Sequence, residues 1–189
     1  MIRIGILGEI GSGKSYVAKN FGYPVFNADY EVSKIYKKDK KTFIKLKKKL
    51  PEYIYSFPVK KTQITKAILS NNNNLRKIIK IVHEEIRKKL KLFLKKNKNK
   101  KVIILDIPLL LENKINNKDD ILVFVDSKKI EIEKRLKKRL NFNRKLINKF
   151  KKIQFSSSYK KRRSNFTIKN NFNKKSLNKS IKKILNEIL

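Results

Sequence analysis

Gly8-Glu9-Ile10-Gly11-Ser12-Gly13-Lys14-Ser15 follows the pattern G-x-x-x-x-G-K-[ST]. Glycines at these spacings let a loop turn its backbone N–H groups inward around phosphate oxygens. The pattern carries weight only where a strand leads in and a helix leads out. Both are legible. Residues 2–7, Ile-Arg-Ile-Gly-Ile-Leu, are short and β-rich, which suits a buried strand. From Lys14 the spacing turns helical, with Val17, Ala18 and Phe21 predicted inward. Lys14 is then placed to reach the β- and γ-phosphates of a nucleotide. The Ser15 hydroxyl is placed to bind Mg²⁺, and the helix start adds its dipole to the same anion.

Working outward, Gly22-Tyr23-Pro24 stops the helix, and Val25-Phe26 reads as a second strand running into Asn27-Ala28-Asp29. Strand, loop, helix and strand in thirty residues is the grammar of an α/β fold. Residues 30–99 are helical in pattern, with Leu75, Ile79, Val82, Ile86, Leu90 and Phe93 at three- and four-residue steps. The run 71–74 is a turn between helices, and Pro51 and Pro58 bracket an irregular stretch. That insert is long for one crossover and predicts a helical subdomain. Residues 101–106 and 121–125 are continuous apolar runs, as expected of parallel strands buried on both faces. The next helix is expected to turn Ile132, Leu136 and Leu140 inward and to carry Arg135 and Arg139 on one face. A basic, helix-like stretch covers 144–163. A last strand at Phe166-Thr167-Ile168 and a closing helix with Leu177, Ile181, Ile184, Leu185 and Ile188 inward complete the chain.

Several charged residues stand where chemistry could use them. Asp106 ends a hydrophobic strand, a position from which a carboxylate holds Mg²⁺ through water; a turn aspartate is the plainer alternative. Asp29, read as the end of the second strand, would lie on the same side of a parallel sheet as the glycine loop, and could orient or deprotonate an attacking hydroxyl. It too could be a cap. Arg135 and Arg139 suit the phosphates by their planar, permanent charge, or belong to a solvated face in so basic a chain. Arg162 and Arg163 are weaker candidates. His83, between Val82 and Ile86, reads by spacing alone as structural.

The 189 residues fit one domain, and 40% hydrophobic content suffices for a sheet and its covering helices. Lack of cysteine excludes disulfides and thiolate metal sites, and a single histidine argues against zinc. No apolar run is long enough to span a bilayer, and the opening MIRIGIL is unlike a secretory leader, so a cytoplasmic protein is expected. The net charge of +36 comes from 51 Lys+Arg against 15 Asp+Glu. Such charge attracts polyanions without specificity. The lysines are scattered and accompany abundant asparagine and isoleucine, all with A/T-rich codons, so compositional bias accounts for them without a dedicated nucleic-acid surface.

Together these residues resemble the bacterial dephospho-CoA kinase family over nearly the whole chain. IGILGEIGSGKSYVAKNF is similar to the family's IGLTGGIGSGKSTVA, and Phe26-Asn27-Ala28-Asp29 to its motif ending D-A-D. Ile81-Val82-His83 with Ile86 resembles V-H-P-x-I, and Asp106-Ile107-Pro108-Leu109-Leu110-Leu111-Glu112 resembles D-x-P-L-L-F-E, the most diagnostic segment. Val125-Asp126, Arg135-Leu136 and Arg139 resemble V-D followed by R-L-x-x-R. Gln154 matches a family glutamine, and Phe166-Thr167-Ile168-Lys169-Asn170 resembles F-V-I-D-N.

The resemblance implies ATP- and Mg²⁺-dependent phosphorylation of the ribose 3′-hydroxyl of dephospho-CoA. It implies a P-loop NTPase-type three-layer sandwich with a parallel sheet: a core of about 1–29, 101–126 and 164–189, a helical CoA-binding insert of about 30–100, and a lid of about 135–163. It implies nucleotide contacts from Gly8, Glu9, Ile10, Gly11, Ser12, Gly13, Lys14, Ser15, Tyr16, Arg135 and Asn170, and catalytic roles for Lys14, Asp29 and Arg139. Asp29, His83, Asp106, Pro108 and Leu109 would meet the acceptor, and Ser15 and Asp106 the metal. The expected partner is that small molecule, with no specific nucleic acid, no membrane, and a monomer or weak homo-oligomer. The chain departs from the pattern at Glu9, Asn27, Glu84 and Ser164-Asn165, and the usual acid- or amide-arginine pair is missing around 64–68. A nucleoside or nucleotide kinase shares the loop and the arginines, and a basic nucleic-acid-binding ATPase is the alternative of another class; the DIPLLLE and V-H segments favour the first reading.

Overall fold

The computed structural model describes residues 1–140 and 142–189. In chain order the elements are β1 (Ile2–Gly8), α1 (Lys14–Asn20), β2 (Val25–Asn27), α2 (Ala28–Lys38), α3 (Lys40–Lys49), α4 (Lys61–Ser70), α5 (Asn72–Lys96), β3 (Val102–Asp106), β4 (Ile121–Asp126), α6 (Lys129–Lys137), α7 (Arg144–Lys152), α8 (Ser157–Arg162), β5 (Phe166–Lys169) and α9 (Lys174–Ile188). They fall into two compact units. The first comprises Met1–Asn27, Asn97–Phe142 and Ile153–Leu189; the second comprises Ala28–Lys96 and Asn143–Lys152.

The first unit is built on a five-stranded, wholly parallel sheet of order β2-β3-β1-β4-β5. β3, Val-Ile-Ile-Leu-Asp, is buried along its whole length, as its unbroken apolar run requires of a strand covered on both faces. β1 lies between β3 and β4, in register Ile4↔Ile104 and Gly8↔Val125. Parallel pairing puts the C-terminal ends of all five strands on one edge, where the strand order reverses around β1 and α/β sheets form their ligand crevices. Ile4, Ile6, Ile104 and Val123 pack with Val17 and Ala18 of α1, with Phe21 at its C-terminal end, and with Leu177, Ile181 and Ile184 of α9. Each fully buried Ile or Leu is worth about 1.5–3 kcal/mol. Far from the C-terminal edge, the Arg3 guanidinium grips Asp120 through Nε (2.9 Å) and Nη2 (3.1 Å). Burial pushes the Asp120 carboxyl above its ordinary range, and the Asn117 N–H and Arg3 offset this only in part.

The second unit is helical. α5 runs 25 residues and buries Leu75, Ile78, Val82, Ile86 and Leu90, a stripe at helical period that α2, α3 and α4 cover. Ile78 takes the buried position expected of Ile79. Asp39 caps α3, accepting from the Thr42 N–H at 3.1 Å. α7 packs on α4, and Lys149 Nζ donates to Asn72 Oδ1 at 2.9 Å.

Three expectations need correction. β2 stops at Asn27, so Asp29 does not end a strand; it stands in the first turn of α2, where a carboxylate complements the helix dipole. α6 stops at Lys137, so Arg139 shares no helix face with Arg135, and Leu140 is fully exposed rather than inward. One more turn would stack Lys134 on Lys138 and Arg135 on Arg139, like-charge pairs that oppose a helix. The basic run 144–163 is two helices, and the stretch expected as a lid divides: 143–152 belongs to the helical unit and the rest to the sheet unit. Among the described residues no helix is long and apolar enough to cross a membrane.

Candidate active site

Residues 8–13 leave β1 and enter α1 through a loop whose backbone favours glycine at Gly8, Gly11 and Gly13. Gly8 has φ +146°, and a Cβ there would lie 2.8 Å from the Val125 carbonyl oxygen. Gly13 has φ +89° and caps α1 with no side-chain cap hydrogen bond. A helix N-terminus without a side-chain cap, entered from a glycine turn, is suited to an anion. The loop is fastened from outside by Ser127 Oγ and Asn170 Nδ2, which both donate to the Ser12 carbonyl at 2.9 Å. Asn170 is 4% exposed and donates its own N–H to the Asp126 carbonyl. Asn170, expected to meet nucleotide, therefore holds the loop's shape.

Lys14 bends over the loop, with Nζ 3.1 Å from the Gly8 oxygen and 2.7 Å from the Glu9 oxygen. These carbonyls hold the ammonium against the loop. Ser15 is exposed one residue on, and Tyr16 packs its ring against the core, leaving its backbone for any ligand contact. Ile10 is half-buried in the loop. The Glu9 carboxylate accepts a 2.8 Å hydrogen bond from Ser157 Oγ of α8. A cavity of about 120 Å³ opens there, bounded by Glu9 and Ser12 of the loop, Asp126 and Ser127 after β4, and Ser157 and Lys161 of α8. Ser12 Oγ, which also lines it, is buried without a hydrogen-bond partner.

Asp106 ends β3 at the same edge, 3% exposed, and stands in register with Asn27 at the end of β2. Asn27 Nδ2 donates to Asp106 Oδ2 at 2.6 Å. Asn27 thus supplies a donor where the family motif has an acid, and the pair holds the Asp106 carboxylate in one orientation. Ser15 and Asp106 together offer hard oxygen donors, the set that suits Mg²⁺.

Arg135 is exposed, and its guanidinium stacks 3.9 Å over the ring of Phe172, whose edge in turn lies against Gly13 of the loop. Arg139 is exposed in the turn after α6. Pro108 is half-buried, and Leu109 is buried with its carbonyl accepting from Asn113 Nδ2 at 2.9 Å. In the helical unit, Asp29 lies in the first turn of α2 and His83 is half-buried on α5. Ser157 and Phe172 carried no signal in the sequence, since serines and aromatics outside a motif are uninformative. Among the described residues no group of three or more His, Cys, Asp or Glu could hold a metal by itself.

A family model described as dephospho-CoA kinase matches residues 2–176. The chain belongs to the dephospho-CoA kinase family. It is 30% identical over 190 residues to the dephospho-CoA kinase of Wolbachia sp. subsp. Brugia malayi (strain TRS), covering 98% of this chain and 97% of that one. It is 31% identical to that of Rickettsia prowazekii (strain Madrid E), covering 100% and 98%. Among solved structures, TT1252 from Thermus thermophilus superposes with a TM-score of 0.77 at 25% identity, over 100% of this chain and 98% of that one. The dephospho-CoA kinase from Campylobacter jejuni gives 0.61 at 19% identity, over 98% and 96%, and shares the fold. Family membership makes the chain a kinase for the ATP-dependent last step of coenzyme A synthesis.

Proposed function

We propose that the phosphoryl acceptor is the ribose 3′-hydroxyl of dephospho-CoA and that the Gly8–Ser15 loop and Asp106 form the donor side of this reaction. The observation that carries the reading is the loop itself: glycine-traced, uncapped, fastened through the Ser12 carbonyl, and adjoining a strand-end aspartate held by Asn27. The loop N–H groups hold the ATP phosphates, and Lys14 leaves its two carbonyls for the β- and γ-phosphates. Ser15 and Asp106 would hold Mg²⁺, which supplies charge neutralisation at the phosphates when bound. Asp29 of the helical unit orients the 3′-hydroxyl and takes its proton, while the acceptor oxygen bonds to the γ-phosphorus and the bridging oxygen leaves with ADP. Arg139 meets the charge that develops in the transition state, and Arg135 binds nucleotide. His83, Pro108 and Leu109 contact the acceptor. The setting is cytoplasmic, and the enzyme works as a monomer or weak homo-oligomer.

The test is a coupled ADP-release assay with Mg²⁺-ATP, comparing dephospho-CoA with adenosine, AMP and CMP. ADP release that requires dephospho-CoA and yields coenzyme A is the expected result. Turnover confined to a nucleoside or nucleotide would overturn the acceptor while keeping the donor site.

A further inference from the structure

Glu112 closes the DIPLLLE segment, and the reaction just proposed gives it nothing to do. Its side chain is 8% exposed and lies 2.9 Å from Lys160 Nζ, itself 3% exposed. Glu112 Oε2 is buried with no hydrogen-bond partner. A buried ion pair is weak evidence for stability, because desolvation consumes most of its attraction. Its surroundings suggest a geometric task. Glu112 Oε1 also accepts the Phe155 backbone N–H at 2.9 Å, and Lys160 Nζ reaches Gln154 Oε1 at 3.3 Å.

The chain leaves the sheet unit after Phe142 and rejoins it at Ile153. Gln154 and Phe155 are therefore the second and third residues of the return, and the pair grips one by its side chain and the other by its backbone. Glu112 is itself well anchored. The Leu110 side chain is fully buried, in the space that Gly5 of β1 leaves by having no Cβ. The turn around Glu112 is closed by Asn113 N–H to Leu109 O (3.1 Å) and Ile115 N–H to Leu110 O (3.0 Å). Beyond the grip, α8 presents Ser157 to Glu9 of the phosphate loop and lines the cavity beside it. The other ion pair on α8, Lys161–Asp126, is half-exposed and too weak to set the position of the helix.

We infer that Glu112 and Lys160 are positioning residues: they pin the returning chain at Gln154–Phe155, and so hold α8 and its Ser157–Glu9 contact as a fixed wall beside the phosphate loop. This rests on the loop being the ATP site. It differs from mere stabilisation in one respect. Glu112→Leu with Lys160→Met fills the volume and removes both buried charges, but leaves the Phe155 N–H and the Gln154 amide ungripped. That double variant is expected to keep its melting temperature within a few degrees while kcat falls by about tenfold or more, with KM for ATP changed less than about threefold. Ser157→Ala is expected to slow the wild-type enzyme but, added to the double variant, to slow it no further, because both act through one contact. Wild-type kcat in the folded double variant, or multiplied effects, would overturn the proposal. Residue-resolved amide exchange on the unaltered protein needs neither variant nor substrate. The Phe155 amide should exchange at least about tenfold more slowly than the amides of α7, and equal rates would overturn the proposal. If the wild-type enzyme fails to phosphorylate dephospho-CoA, the acceptor assignment falls while the exchange measurement still decides this one.

Discussion

The loop of residues 8–15 and the segment of residues 135–140 carry the charges expected to meet ATP, yet they are held in opposite ways. The loop is enclosed: β1 and α1 flank it, Ser127 and Asn170 tie its Ser12 carbonyl, and its lysine already rests on two of its own carbonyls. The 135–140 segment runs off the end of α6 into turns, with Arg135, Arg139 and Leu140 all exposed. Enclosure makes a site that exists before its ligand arrives. Exposure leaves a site whose geometry depends on the ligand.

The contrast can be broken most sharply at Lys14. Lys14→Ala should reduce kcat by roughly 10³-fold or more and change the melting temperature little, since the ammonium bonds to carbonyls of its own loop at the edge of the sheet rather than to the core. Retained turnover would show that the enclosed loop is not where phosphoryl transfer is stabilised. Arg139→Ala should slow transfer by up to roughly 10³-fold at saturating ATP. Kinetics equal to wild type would leave that side chain in solvent and make the open segment a bystander. At the enclosed end, Asn27→Ala removes the donor to a carboxylate that is 3% exposed. It should cost about 1–3 kcal/mol of stability by urea unfolding, and weaken Mg²⁺ dependence, because Asp106 is no longer held in one orientation. A variant as stable as wild type would show that the 2.6 Å bond does not matter to the fold. The smallest effect is expected at Phe172, whose φ of +62° is a conformation that bulky residues avoid. Phe172→Gly relieves that backbone strain and removes the stack with Arg135, so the net change in stability should stay within about 1 kcal/mol. A larger loss would mean that the open segment is anchored more firmly than its exposure suggests.

How much of this was legible follows the same division. The strands read correctly because Val-Ile-Ile-Leu-Asp at β3 and its counterparts in β1 and β4 are buried along nearly all their length, where side-chain chemistry leaves little choice. The glycine loop read correctly because Gly8 and Gly13 occupy backbone conformations that other residues resist. Asp29 was misread as a strand end because the change from strand to helix at Asn27–Ala28 has no glycine or proline to mark it. The extension of α6 to Leu140 failed because apolar spacing at 132, 136 and 140 ignores the cost of stacked cations. Ser157 was invisible, since its partner Glu9 lies 148 residues away and neither residue advertises the other.

The strand order has a consequence for how the chain comes into being. β1 is made before both of its neighbours, which lie in the second half of these 189 residues, with Ile2 opposite Val102 and Ile4 opposite Ile121. β2 fares no better, since among the described residues it stands at the sheet edge with β3 as its one neighbour. The 75 residues 28–102 therefore have to be translated before either strand has a partner, a delay of roughly 4–15 s at ordinary elongation rates. During that interval the helical segment, whose packing is mostly local, can fold, while an apolar first strand waits unpaired. The lysines spread through the nascent chain then have a use that needs no ligand: like charges keep waiting chains from adhering to one another.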